Sequence, residues 1–120
     1  MNLKQFQEYI AMGLAKKQSP NINRASYILA EAKSKRQFLD VALASIAPEE
    51  MNPNFLVDFC YDLIMELVRA KMLIDGFNAG NSHEAEVSYM RNLGFQETEV
   101  NFMDEVRYYR NGTKYLLNKC

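Results

Sequence analysis

Residues 52–76, NPNFLVDFCYDLIMELVRAKMLIDG, leave little choice of local structure. Asn52 followed by Pro53 has the form of an N-cap and a first-turn proline. The amide oxygen can accept from a free backbone N–H, and proline has no N–H to leave unpaired. Leu56, Cys60, Leu63, Leu67, Ala70 and Ile74 then step by four, three, four, three and four. That spacing holds one helical face apolar and predicts the seam of a bundle. Gly76 stands where a helix needs a residue free to adopt positive φ, and so predicts its end.

The remaining segments follow from the breaks. Glycine and proline cluster at QSPNIN (18–23), APEEMNPN (47–54) and GFNAGNS (76–82), with a softer break at LGFQETEVN (93–101). Between them the apolar residues recur with helical period, and no stretch alternates with period two for long enough to predict a sheet. A short helix over about 2–17 would turn Phe6, Ile10 and Leu14 inward. A second, over 22–46, carries Ile28, Ala32, Leu39, Ala42 and Ile46 on one stripe, and Pro48 stops it. Ser82 predicts the cap of a helix over 83–93, with Glu84 and Glu86 suiting the positive end of its dipole. The last helix, about 98–117, turns Val100, Met103, Val106 and Leu117 inward, and Arg110 falls on the same stripe. Together these predict one all-α domain over 1–120: an antiparallel up-and-down bundle of four to five helices, with its core over 22–117 and a short N-terminal helix within 1–20.

Fourteen basic residues against fifteen acidic give a formal net charge of −1, which excludes a wholesale cationic coat for nucleic acid. Any anion site must be a local cluster. Cys60 reads as a small buried hydrophobe, whereas Cys120 reads as exposed. The two lack metal-ligand spacing, and the one histidine, His83, cannot complete a zinc set with them. His83 in HEAE reads as a cap or an exposed polar group. Met51, Met65, Met72, Met90 and Met103 read as core filler. No Gly-rich phosphate loop or nucleophile elbow is present, and no metal or cofactor is expected. The opening MNLKQFQEYIAMGLAKK is too polar for a signal peptide, and no run reaches membrane-spanning length, which predicts a cytosolic, reducing setting without a membrane partner.

Two clusters carry chemistry. In the last helix, RYYRNGTKY (107–115) places Arg107, Arg110 or Asn111, and Lys114 on neighbouring positions of one face, with Tyr115 four residues from Asn111. Three cations, an amide and a phenol can hold phosphate, position a ribose or stabilise a developing negative charge. Gly112, which costs about 1 kcal/mol against alanine inside a helix, predicts a close approach to the backbone there, such as by a partner subunit. The alternative is a solvated basic helix end, favoured by the helix dipole. In the third helix Asp58, Asp62 and Glu66 lie four apart, with Arg69 three further on. They can serve acid–base or metal chemistry, or form a polar stripe of ion pairs. In one variant Glu66 or Asp62 faces Arg110 across the bundle, with Arg110 partly buried and carboxylate-paired while Arg107 and Lys114 stay exposed.

The run FLVDFCYDLIMELVRAKMLIDGFNAGNSHEAEVSYMRNL, followed by RYYRNGTKY, resembles the HEPN superfamily over residues 52–117. The similarity lies in the order of YD-x-I-x-E, LIDGFNAGNSHEAEVSYM and YRN-x-x-x-Y. It implies an up-and-down bundle that dimerises through the faces bearing the signature. Catalytic members of that superfamily are metal-independent ribonucleases with an arginine, a polar residue and then a histidine. Arg110 matches the arginine and Asn111 the polar residue, but the histidine position falls at Tyr115 or a neighbour, and no histidine is there. A phenol with an ordinary pKa of about 10 replaces a group that titrates near neutrality. Branches with a tyrosine there include small prokaryotic proteins often paired with a minimal nucleotidyltransferase.

The resemblance therefore implies a homodimeric module. It would bind RNA or nucleotide through Arg107, Arg110, Asn111 and Lys114, supported by Asp62 and Glu66, and would associate with a nucleotidyltransferase-type partner without efficient catalysis. Two alternatives stand beside it. One is a metal-independent endoribonuclease, such as the toxin of a toxin–antitoxin or defence system, using Arg110, Asn111 and Tyr115. The other is a helical adaptor whose basic helix is only a protein interface.

Overall fold

A computed structural model describes the backbone of residues 3–119 and the side chains of residues 3–111. The expectations placed on Gly112, on the side chains of Lys114, Tyr115 and Leu117, and on Cys120 lie outside the described residues. Five helices follow in order: α1 (Phe6–Ala11), α2 (Ile22–Ser45), α3 (Pro53–Asp75), α4 (His83–Tyr89) and α5 (Glu97–Lys119). Two short strands, β1 (Lys16–Lys17) and β2 (Phe77–Asn78), pair antiparallel. Single 3₁₀ turns at Pro48–Glu50 and Met90–Leu93 complete the joints. The fold is an all-α helical bundle, and no helix among the described residues is long and apolar enough to cross a membrane.

The punctuation of α3 is as its sequence predicts. Asn52 Oδ1 accepts from the backbone N–H of Asn54 at 2.9 Å and of Phe55 at 3.3 Å. Gly76 ends the helix at φ 88°. A Cβ there would lie 2.7 Å from the carbonyl oxygen of Gln18, so both the dihedral and the close approach demand glycine. The contact has a purpose, because Gln18 N–H donates to Gly76 O at 2.8 Å and continues the β1–β2 pairing.

Helix α3 is buried on two sides. On one, Ala70, Leu73 and Ile74 meet Ala25 and Ile28 of α2. On the other, Tyr61, Met65, Val68 and Met72 join Phe6 and Tyr9 of α1, Ala85, Val87 and Tyr89 of α4, and Val100 and Met103 of α5. A single stripe of fours and threes therefore describes only part of the helix. Leu63 is buried, but Leu67 is 45 % exposed and lines an open apolar groove together with Phe95 and Phe102.

The N-terminal segment departs further from expectation. The helix over 2–17 ends at Ala11, the chain turns at Gly13 with φ 77°, and Leu14 is 45 % exposed while Tyr9 is fully buried. Pairing of residues 16–17 with 77–78 removes the last turn from the helix. The segment is pinned by Arg91, whose guanidinium donates to the carbonyls of Leu3 (3.2 Å) and Lys4 (2.7 Å) while holding Glu97 at 2.7 Å. Ser88 Oγ also donates to Lys4 O at 2.6 Å. At the other joints, the helix over 22–46 forms as α2, and the segment 83–93 forms as α4 with its final turn tightened to 3₁₀ geometry. Four of the five methionines read as filler, Met65, Met72, Met90 and Met103, are buried in the core.

Candidate functional site

Successive turns of α3 place Tyr61, Asp62, Glu66 and Arg69 along one edge of the helix. Arg107, Arg110 and Asn111 come down α5 onto the same edge. Lys35 from α2 and His83 from the start of α4 close a polar cavity of about 220 Å³. Ser82 Oγ caps α4 by accepting from Ala85 N–H at 3.1 Å, which fixes His83 at the mouth. The sequence-predicted Arg107, Arg110, Asn111, Asp62 and Glu66 are thus brought together. Asp58 approaches the site through Arg110.

Arg110 is half-buried and paired with carboxylates. Its Nη1 donates to Asp62 Oδ1 at 2.7 Å and its Nη2 to Asp62 Oδ2 at 3.4 Å. Its Nε lies 3.2 Å from Asp58 Oδ1, an ion-pair contact out of line for a hydrogen bond. The guanidinium carbon sits 4.9 Å from the centroid of the Tyr61 ring, a cation–π distance. Between the two expected partners of Arg110, Asp62 takes the role and Glu66 instead binds Lys35 Nζ. This bond with Glu66 holds the Lys35 pKa above its ordinary value against the opposing effect of burial.

Arg107 departs from the expectation that it stands exposed. Its Nε donates to the buried Asp104 at 2.8 Å, Glu84 lies 3.8 Å away, and its side chain is only 18 % exposed. The i,i+3 spacing to Asp104 draws the guanidinium back along its own helix. Arg69 pairs with α4: its Nε and Nη2 donate to the two oxygens of Glu86 at 2.7 and 3.1 Å. Glu86, read from sequence as a first-turn carboxylate suiting the helix dipole, is 2 % exposed. Its Oε1 also lies 3.1 Å from His83 Nδ1, so one carboxylate orients both the arginine and the histidine. Bonding to Glu86 holds Arg69 above its ordinary pKa.

Among the described residues, three buried side-chain polar atoms have no hydrogen-bond partner: Tyr61 Oη, Glu66 Oε2 and Arg110 Nε. All three belong to residues lining this one cavity. Tyr61 is 5 % exposed, and burial pushes its pKa up to about 12 despite the nearby Arg110 and Arg107, so at neutral pH it is a proton donor. The residues lining the cavity therefore carry three buried polar atoms without a hydrogen-bond partner, of which Arg110 Nε is in ion-pair contact with Asp58, and the cations around them already carry carboxylates. Buried polar atoms left unpaired are rare, and their grouping around one cavity is what a polar ligand site requires.

Sequence reasoning missed Tyr61, Lys35, Arg69–Glu86 and the placement of His83. A faint signal existed: the lone histidine lies three residues before Glu86, on the same face of α4. Among the described residues no group of three or more His, Cys, Asp or Glu is placed to hold a metal ion. No protein-family model, curated protein or solved structure matches the chain.

Proposed function

We propose that this chain is a HEPN-like helical module that binds a nucleotide, free or as a unit of RNA, in the cavity between α3 and α5, without efficient catalysis. The observation that supports the reading is that Tyr61 Oη, Glu66 Oε2 and Arg110 Nε, none with a hydrogen-bond partner, belong to residues lining one cavity. A nucleotide supplies both oxygen acceptors and hydroxyl or amine donors, the complement of a phenol and a carboxylate oxygen. A bare anion does not suit the site as well, because Asp62 and Glu66 line it too. At about 220 Å³ the cavity is smaller than the ~300–1,000 Å³ of pockets that enclose drug-sized ligands, which suits part of one nucleotide. Weak catalysis follows from Tyr115, which stands at the family's histidine position in sequence.

One observation favours the endoribonuclease as a second reading. His83 lines the cavity beside Arg110, with Nδ1 oriented by Glu86 at 3.1 Å, so a base can come from α4 in place of α5. The resemblance adds a twofold dimer through α5, where Tyr108 and Tyr109 are 61 % and 70 % exposed, and a nucleotidyltransferase-type partner in the cytosol. A monomer at tens of micromolar by sedimentation would remove the dimer from the reading.

The deciding experiment is fluorescence anisotropy with labelled single-stranded RNA and nucleotides at low salt, run beside RNA incubation in EDTA. Binding without cleavage supports the module. Cleavage lost in His83→Ala and Arg110→Ala establishes the enzyme instead, and no affinity for any probe leaves the adaptor.

A further inference from the structure

Beyond His83 lies a second cavity of about 430 Å³, between the start of α2, the end of α3 and the loop 77–82. Arg69 and His83 line both cavities, so the two are neighbours across a shared wall. The second differs from the first in its charge. The one carboxylate lining it is Glu86, which is buried and already bonded to Arg69 and His83. Of the two arginines lining it, Arg69 is bonded to Glu86, whereas the Arg24 guanidinium has no ion pair and no hydrogen bond among the described residues; only its backbone N–H is engaged, by Asn21 Oδ1 at 3.1 Å. The loop side is shaped by Asn78, whose Oδ1 accepts from Gly80 N–H at 2.7 Å, and Asn81 lines the same space.

The first cavity thus has unpaired neutral and polar capacity but no cation without a carboxylate among its described residues. The second has a cation without one. An anionic group gains most where it meets an uncompensated guanidinium and does not have to displace a carboxylate. Resting on the nucleotide reading, we infer that the ligand spans both cavities: its sugar or base bonds Tyr61 and Glu66 in the first, and its phosphate lies against Arg24 and Asn81 in the second. His83 stands at the crossing, with Nδ1 on Glu86 and Nε2 left to meet the ligand. The occupant is a phosphorylated nucleoside, either free or as a residue of an RNA strand.

The test uses the full chain and isothermal titration with common 5′-ribonucleoside monophosphates, their unphosphorylated nucleosides, and a short single-stranded RNA. In the wild type the monophosphate binds about tenfold or more tighter than its nucleoside, since a hydrogen bond to a charged group carries about that factor. Arg24→Ala removes this preference and leaves nucleoside affinity unchanged, Arg24→Lys restores part of it, and Tyr61→Phe weakens both ligands alike. Arg24 is exposed, so a melting temperature equal to wild type certifies that the variant is folded. A nucleoside and its monophosphate that bind equally, or an Arg24→Ala protein that keeps the preference, overturn the two-cavity arrangement but leave the module reading intact. No binding of any probe removes both. An RNA that binds no better than the monophosphate assigns the site to free nucleotide; a tighter RNA with a steeper salt dependence assigns it to a strand.

Discussion

Tyr61→Phe separates a ligand-binding hydroxyl from a structural one. The phenol oxygen is buried, has no partner, and lines the polar cavity, while the ring beneath Arg110 packs in the core. Phenylalanine keeps the ring and its π face, so the 4.9 Å contact with Arg110 survives. What disappears is one unsatisfied polar group, whose burial costs about 1–3 kcal/mol. Removing it should leave stability unchanged or raise it by about 1 kcal/mol, which in a chain of this size is a few degrees of melting temperature. Ligand affinity should move the other way and fall about tenfold, because the ligand loses a donor. Thermal unfolding followed by circular dichroism and titration on the same preparation measure both. A melting temperature several degrees below wild type would mean that the hydroxyl serves the fold. A higher melting temperature with unchanged affinity would mean that the cavity is not where the ligand sits.

The two leucines of the sequence seam should part company. Leu63→Ala, at a buried position, should cost about 2–5 kcal/mol in chemical denaturation, whereas Leu67→Ala, 45 % exposed, should cost well under half of that. Tyr61 ionises at about 12 when folded and at about 10 when unfolded, so its contribution is complete below pH 10 and is lost as pH rises toward 12. Tyr89, also raised by burial and by its bond to Asp75, works in the same direction, and Tyr61→Phe should flatten the alkaline limb of a stability–pH curve without abolishing it. In acid, burial opposes but Tyr89 and Lys71 together hold the Asp75 carboxyl below its ordinary 3.8, so its contribution is present above that pH and disappears below it; Asp75→Asn should flatten the acid limb. Arg110→Lys should recover little of what Arg110→Ala loses in affinity, since an ammonium cannot keep both bonds to Asp62 and the stacking on Tyr61.

The helices were legible where local chemistry decides them. Asn52, Pro53, Gly76 and Ser82 act on the backbone within a few residues of themselves, and those ends fall where the residues place them. Burial was less legible, because it depends on how many neighbours a helix has. The four–three pattern in α3 describes a helix with one buried face, but α2 covers one side of α3 while α1, α4 and α5 cover another. Tyr61, Met65, Val68 and Met72 fall off the predicted stripe for that reason. In the N-terminal segment the helical period continued to Leu14, but a two-residue strand pairing contributed by residues sixty positions away overrode it. Pairing so distant in sequence leaves no periodic trace.

The candidate site shows the same division in its electrostatics. Sequence spacing brought Arg107, Arg110 and Asn111 to one face, and it named Glu66 or Asp62 as the partner of Arg110, of which Asp62 takes the role. It did not assign Glu66 to Lys35 or Glu86 to Arg69, because these pairings depend on how α2 and α4 pack against α3. Those pairings change the chemistry from an open basic patch to a nearly neutral polar cavity. A patch of three free cations would bind any polyanion, with affinity falling by about 0.7 log units per contact for each log unit of salt on a single strand. A cavity whose cations are already paired gains little from charge alone and must select by hydrogen bonds. The salt slope of wild-type RNA binding should therefore be shallow, near that of a single phosphate contact, and Arg24→Ala should remove most of it. A slope corresponding to three or more contacts would mean that the carboxylates release their arginines to the ligand, and that the cluster acts as a phosphate clamp after all.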